Sequence, residues 1–271
     1  MKSVPKRQLG STGIDVSCLG LGTVKLGRNQ GVKYPRHFDL PNDEQVIALL
    51  DQARGLGINF IDTAPAYGSS EERLGKLMQN RQDWIICSKV GEEFEDGASH
   101  FDFSAQHTRH SVERSLRRLR TDYLDLVLIH SNGEDLGILE QTDCLETLLN
   151  LKDEGLIRAV GMSTKTAIGG KRALPLCDAL MLTFNATTTA EEPVIDLARA
   201  QGKAILVKKA FDSGHATDQP GGPEQALGFV LTKPGVSSVI VGTINPEHLR
   251  SNAEIAAEVN LYLHTAARYK R

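Results

Sequence analysis

Short apolar runs alternate along the chain with longer segments whose apolar residues recur every three or four positions. Eight runs, at 18–22, 59–62, 84–87, 124–129, 159–162, 179–182, 204–207 and 238–241, read as strands buried on both faces. The segments between them read as helices. Val46, Leu49, Leu50 and Ala53 share one face, with Asn42 placed to cap the start and Gly55 the end. Val112, Leu116 and Leu119 share another, with Ser104 as N-cap and Glu113 and Arg117 as an i,i+4 pair. Leu145, Leu148 and Leu149 mark a third that stops at Gly155, and Asn245-Pro246-Glu247 opens the last. The pattern predicts eight strands and eight helices in strict alternation, which requires parallel strands and right-handed crossovers.

Eight repeats fit a closed (β/α)₈ barrel, an α/β fold of roughly 250 residues. The chain has 271 residues, with no linker or composition shift to divide it, so residues 1–271 are expected to form one domain. Gly20-Leu21-Gly22 has no third glycine in register and opens no helix, so it is not a dinucleotide fingerprint of the open-sheet type. Residues 7–16 alternate around turn residues and predict a hairpin closing the barrel bottom.

Composition narrows the function classes. Hydrophobic residues make up 40% and charged residues 24%, with a formal net charge of −3. Nothing here suggests a nucleic-acid surface or a polybasic membrane patch, and no apolar run is long enough to span a bilayer. The charged segment 1–7 leads into no apolar stretch, so a secretory signal is not expected. Cys18, Cys87, Cys144 and Cys177 lie far apart, which fits reduced thiols in a cytoplasmic protein. No His or carboxylate cluster has metal-ligand spacing, and Arg114, Arg117, Arg118 and Arg120 read as a solvated helix face.

Barrels of this kind do their chemistry at the C-terminal ends of the strands. The second buried run ends in Asp62 with Tyr67 soon after, the third in Ser88-Lys89 and the fourth in His130. Singly, Asp62 could cap a turn, Lys89 could reach solvent, His130 could sit in the core and Tyr67 could plug the rim. On three adjacent strands they should converge. An acid beside a lysine keeps the ammonium charged, and the ammonium should lower the phenol pKa of Tyr67. Such a phenol can protonate a carbonyl oxygen while the histidine orients it. None of the four supplies hydride, so a nicotinamide is required.

At this point the chain resembles the aldo-keto reductases over nearly its full length. The resemblance is carried by 9–13, by 19–23, by Phe60-Ile61-Asp62-Thr63-Ala64-Pro65-Ala66-Tyr67-Gly68, by Ser88-Lys89 and by 122–130, with Pro246-Glu247-His248-Leu249 and Asn252 near the end. It implies a catalytic tetrad of Asp62, Tyr67, Lys89 and His130, with Tyr67 as acid/base. It also implies cofactor contacts from Gly22, Thr23, Ser163, Thr164, Met181, Lys208, Lys209, Phe211, Gly242, Thr243, His248 and Asn252. Several of these depart from the family pattern. Thr164 and Met181 stand where Asn and Gln usually hold the carboxamide, and Lys208 stands where a tyrosine often stacks on the ring. Independently, free N–H groups at the start of the last helix, after Gly242-Thr243, suit a phosphate. NADPH is the expected cofactor, with NADH possible.

The substrate is expected to be a small carbonyl compound. Loop 24–41 offers Lys25, Tyr34, His37 and Phe38, and loop 91–103 offers Phe94, His100, Phe101 and Phe103. Few residues follow Leu263, which predicts an open pocket with loose specificity. A monomer or weak homo-oligomer is expected, with no nucleic-acid or membrane partner. Two rivals stand beside this reading: a cofactor-binding sensor or regulatory barrel with little catalysis, and a lyase that forms a Schiff base on Lys89.

Overall fold

The computed structural model describes residues 3–212, 214 and 222–268, with the backbone alone for 263–268. The chain opens on an antiparallel hairpin, β1 (Lys6–Gln8) and β2 (Asp15–Ser17), close to the expected limits. Its Leu9, Ile14 and Val16 are fully or almost fully buried against the inner layer of the barrel.

The barrel then builds in chain order. β3 (Leu19–Gly22) is followed by α1 (Val24–Gly27) and α2 (Asp43–Gly55), and β4 (Phe60–Asp62) by α3 (Ser70–Leu77). After β5 (Ile85–Val90) the chain leaves the barrel for a second hairpin, β6 (Glu92–Glu95) and β7 (Ala98–Phe101), before α4 (Ala105–Leu119). Next come β8 (Leu124–His130), α5 (Asp135–Gln141) and α6 (Cys144–Asp153), then β9 (Ile157–Ser163), α7 (Ala167–Ala173), β10 (Ala179–Thr183) and α8 (Glu192–Ala200). The last repeats are β11 (Ala204–Lys208), α9 (Gly222–Thr232), β12 (Val236–Val241) and α10 (Pro246–Arg268). The eight barrel strands pair in parallel in the order β3-β4-β5-β8-β9-β10-β11-β12, and β12 closes onto β3. All eight expected strands are present. The described residues form ten helices rather than eight, because the loop after β3 contains a single turn and the segment after β8 divides in two.

Local signals explain most boundaries. Asn42 and Gln45 form a reciprocal capping box on α2, and Ser104 Oγ accepts from the His107 N–H at the start of α4. Gly55 belongs to α2 itself; the left-handed residue that turns the chain is Gly57, at φ 86°. Glu113 meets Arg109, at 3.9 Å, instead of the expected Arg117. The basic run at the end of α4 is a solvated face only in part: Arg117 and Arg120 are exposed, whereas the other two arginines are paired. Arg114 pairs with Glu93, and Arg118 reaches Glu71 (3.6 Å) and Glu72 (3.2 Å).

Strand residues alternate between two layers. Val127 and Ile129 pack outward with the helices, while Phe60, Cys87, Leu126, Leu128, Ala179 and Leu206 fill the interior. Gly161 keeps that interior close-packed: a Cβ there would stand 2.2 Å from the Ala179 carbonyl oxygen and 2.6 Å from Leu128. Gly161→Ala is expected to destabilise the fold by about 2–3 kcal/mol, read as a lower urea midpoint. No helix among the described residues is long and apolar enough to cross a membrane. All four cysteines are unpaired and buried.

Candidate active site

The same alternation builds the site. Asp62 lies two residues beyond inward-facing Phe60, Lys89 two beyond Cys87, and His130 two beyond Leu128. Each therefore rises from the interior layer into the C-terminal mouth. Tyr67 arrives differently, on a short 3₁₀ turn, Pro65–Tyr67, after β4.

The structure brings these four together. Lys89 Nζ, 1% exposed, donates to Asp62 Oδ1 at 2.5 Å, to the Thr63 carbonyl at 2.9 Å and to Tyr67 Oη at 3.0 Å. Tyr67 Oη lies 3.4 Å from Asp62 Oδ2, and the Tyr67 and His130 rings meet edge-on with centroids 6.4 Å apart. Burial alone would push the Lys89 pKa down, but Asp62, Tyr67 and Cys87 raise it well above the ordinary lysine value. A raised pKa favours the ammonium, which cannot attack a carbonyl carbon, so a Schiff base at Lys89 is not favoured.

The expectation for Tyr67 needs correction. Lys89 does pull its pKa down, but burial and the negative charge of Asp62 outweigh it, so the phenol sits above the ordinary tyrosine value. In this arrangement Tyr67 is a loaded proton donor, not an incipient phenolate.

Its position depends on two glycines. A Cβ on Gly27, the last residue of α1, would stand 2.4 Å from the Tyr67 carbonyl oxygen and 2.2 Å from Ser70 N. One on Gly68, whose φ is 61°, would meet the Gly27 carbonyl oxygen at 2.2 Å. Only bare backbones can approach so closely. Arg28 Nη1 also donates to the Ala66 carbonyl, at 2.9 Å.

A fifth polar residue, not expected from the sequence, joins the cluster. Glu92 Oε2 on β6 lies 2.8 Å from His130 Nδ1, within hydrogen-bonding reach of that ring nitrogen. Ser99 Oγ donates to the other carboxylate oxygen at 2.6 Å. Burial opposes ionisation of Glu92, yet His130, Ser99 and Arg28 hold its pKa down at about 2. The one available signal was an acid three residues past Lys89, at the foot of an Asp-Gly turn.

The cofactor residues divide. Ser163 and Lys208 share the inward parity of their strands. Lys208 Nζ donates to Ser163 Oγ at 2.8 Å and to the Thr164 carbonyl at 2.9 Å. Burial and the nearby Lys209, Lys89 and Lys165 bring the Lys208 pKa down to about 8, against the pull of Glu191. Lys209 turns away in a left-handed conformation (φ 58°) and is exposed, so the two lysines do not act as a pair.

Thr164 has outward parity. Its hydroxyl is fully buried and donates to Glu191 Oε1 at 3.1 Å, so it does not replace the expected carboxamide ligand. Met181 is packed in the inner apolar layer. Thr23 is likewise committed: its N–H and Oγ1 both donate to the Asp62 carbonyl, and Oγ1 accepts from Ser70 Oγ. It holds Asp62 in place.

The start of α10 is not the set of free amides expected for a phosphate. Asn245 Oδ1 accepts from the Glu247 N–H at 2.8 Å and the His248 N–H at 3.3 Å, and Thr243 Oγ1 accepts from Asn245 N. The His248 side chain is exposed, Asn252 is buried, and Phe211 packs against the edge of the core. Gly22 and Gly242 follow the inward parity of their strands. A Cβ on Gly22 would meet Ile240 at 3.0 Å, and one on Gly242 would meet Tyr34 Oη at 2.9 Å.

Loop 24–41 thus reaches across to the end of β12. The Lys25 ammonium lies over the rings of Tyr34 (4.1 Å) and Phe38 (5.0 Å), and burial lowers its pKa. Tyr34 faces the tetrad: burial and Asp62 raise its pKa to about 12. Phe94 stacks on Arg28 and Phe103 fills the space above Gly91, while His37 and His100 are exposed. A mouth bordered by Lys25, Lys165 and Lys208 has the charge to suit an anionic dinucleotide, so the residues present fit such a cofactor.

Comparison with known proteins agrees with this geometry. The profile of the aldo/keto reductase family matches residues 18–224. The structure of PA4992, described as an aldo-keto reductase of Pseudomonas aeruginosa, superposes with a TM-score of 0.87 at 54% identity, covering 95% of this chain and 97% of that one. The oxidoreductase YqkF of Bacillus subtilis is 29% identical over 93% of this chain and 90% of its own length. The NADH-specific methylglyoxal reductase of Escherichia coli is 27% identical over 96% and 95%. The chain belongs to the aldo/keto reductase family and is a nicotinamide-dependent oxidoreductase that reduces carbonyl compounds.

Proposed function

We propose that Tyr67 is the proton donor in this reduction, that Lys89 and Asp62 hold and stabilise it, and that His130 orients the substrate oxygen. The observation that carries this reading is the Lys89 ammonium bridging Asp62 Oδ1 and Tyr67 Oη beside the His130 ring. The chemistry a bound nicotinamide supplies is hydride delivery. The chain's own part is the proton. The Tyr67 O–H bond breaks towards the developing alkoxide, and the phenolate left behind lies 3.0 Å from the Lys89 ammonium that stabilises it. We read Ser163 and Lys208, joined by a 2.8 Å hydrogen bond, as the residues that hold the nicotinamide end.

We read the cofactor as NADPH with NADH as the alternative; Arg250, exposed one turn into α10, supplies a cation beyond β12. The substrate is read as a small aldehyde or ketone, taken with loose specificity by one barrel domain over residues 1–271. The protein is read as a cytoplasmic monomer or weak homo-oligomer, in keeping with its four unpaired thiols. The test is direct. Purified protein should quench on titration with NADPH, more tightly than with NADH, and should oxidise it when a nitrobenzaldehyde is added. Failure to bind either nucleotide at sub-millimolar concentration, or to turn over any simple aldehyde, would overturn the reading.

A further inference from the structure

We infer that Glu92 is a positioning residue for the reaction: its carboxylate, carried over the barrel mouth by the β6–β7 hairpin, fixes the tautomer and tilt of the His130 imidazole. The inference rests on the role given above to His130.

The hairpin places Glu92 by simple alternation. Along β6, Glu92 and Phe94 share one face and Glu93 takes the other. Glu92 meets His130 Nδ1 at 2.8 Å, and Phe94 lies under the Arg28 guanidinium, 3.3 Å from ring centroid to carbon. Glu93 turns to α4, where Arg114 and His107 hold it. The cross-strand neighbour of Phe94 is Ser99, and its hydroxyl holds the free oxygen of Glu92. Ser99 therefore holds one carboxylate oxygen and leaves the other for the histidine, while Phe94 and Glu93 tie down the strand that carries them.

The chemical consequence follows from the two ring nitrogens. A carboxylate at Nδ1 makes that nitrogen the protonated one, leaving Nε2 as the nitrogen for substrate. The neutral ring then offers Nε2 only as an acceptor, suited to the O–H of the alcohol, and the imidazolium, which Glu92 favours, offers the Nε2–H donor that a carbonyl oxygen requires. The groups facing the ring are Glu92 from β6, Lys89 from β5, Lys208 from β11 and the Tyr67 phenol. Burial, Lys89 and Lys208 lower the His130 pKa, and Glu92 alone of the charged neighbours raises it. Removing the carboxylate should therefore lower that pKa further.

The test uses Glu92→Gln, which keeps the shape and loses the charge. Its kcat is expected to fall about 10- to 100-fold with little change in KM, as when a carboxylate that orients a functional histidine is removed. The limb of the pH profile that follows His130 should move to lower pH. Nitrogen-15 spectra of the imidazole should show a single Nδ1–H tautomer in the parent protein and a mixture in the variant, and Glu92→Asp should restore part of the difference. Glu93→Gln loosens the same hairpin from α4 without touching His130, and should leave the tautomer as it is. In a His130→Ala background, Glu92→Gln should add nothing. An unchanged tautomer and pH profile in Glu92→Gln, or the same tautomer change in Glu93→Gln, overturns the assignment to Glu92 while leaving the site reading intact. Full activity of His130→Ala overturns both.

Discussion

Tyr67→Phe is expected to lower kcat for aldehyde reduction about a thousandfold while leaving nucleotide affinity nearly unchanged. The substitution deletes one oxygen, the one that is 3.0 Å from the Lys89 ammonium, and keeps the ring that meets His130 edge-on. A role in binding alone would raise KM and spare kcat; a role as the acid removes transition-state stabilisation and lowers kcat. The pH dependence sharpens this. Because burial and Asp62 hold the phenol above the ordinary tyrosine value, Tyr67 keeps its proton throughout the neutral range. Reduction should then decline only as strongly alkaline pH removes that proton, and the variant's residual rate should lack this limb. Stopped-flow single turnovers would separate the chemical step from product release, and full single-turnover rates in the variant would sink the assignment.

Lys89→Met has the second large effect and acts on both stability and rate. The ammonium and the Asp62 carboxylate are almost completely buried, 1% and 3% exposed, and removing the cation strands the anion. Breaking such a pair on one side costs about 3–5 kcal/mol, against about 5–15 kcal/mol for the whole fold, so a large drop in the thermal midpoint is expected. Activity should fall as well, since the phenolate left by proton transfer loses its counter-charge. The double variant Asp62→Asn/Lys89→Met removes both charges and should regain most of the stability and none of the activity. If the double variant were as unstable as Lys89→Met, the stranded carboxylate would not be the cause. The pair also has a signed pH dependence. The folded-state pKa of Lys89 is raised, so its contribution is fully present below the unfolded value of about 10.4. It is lost as pH rises through the higher folded value.

The barrel was legible because the strands are built around short apolar runs, and burial on both faces leaves that mark. Asp62, Lys89 and His130 were legible for a related reason: each is the first charged or imidazole side chain beyond such a run, where barrels keep their chemistry. The β6–β7 hairpin was not. Its Asp96-Gly97 turn has both residues at positive φ, 51° and 82°, which favours a tight hairpin. The flanking strands, however, carry three glutamates in place of alternating apolar residues. Their pairing partners, His130, Arg114 and Ser99, are tertiary neighbours that no local pattern announces. Thr164 could have been read correctly. Strand parity sends it away from the mouth, towards Glu191, while Ser163 and Lys208 stay inside. The amides at the start of α10 could not be assigned so easily, because whether Asn245 caps them or leaves them free depends on a side-chain rotation.

The meeting of Gly27 and Gly68 has a bearing on how relatives of this chain are judged. Neither residue has a side chain to contribute, yet the phenol is carried on a turn whose backbone leaves no room for a Cβ at either position. A homologue could keep Asp62, Tyr67, Lys89 and His130 letter for letter and still be silent, because one methyl group at position 27 would displace the turn and pull the hydroxyl off its mark. Counting reactive residues would score such a protein as competent. The more telling letters, for deciding which members of the family still work, are the two that spell nothing chemical at all.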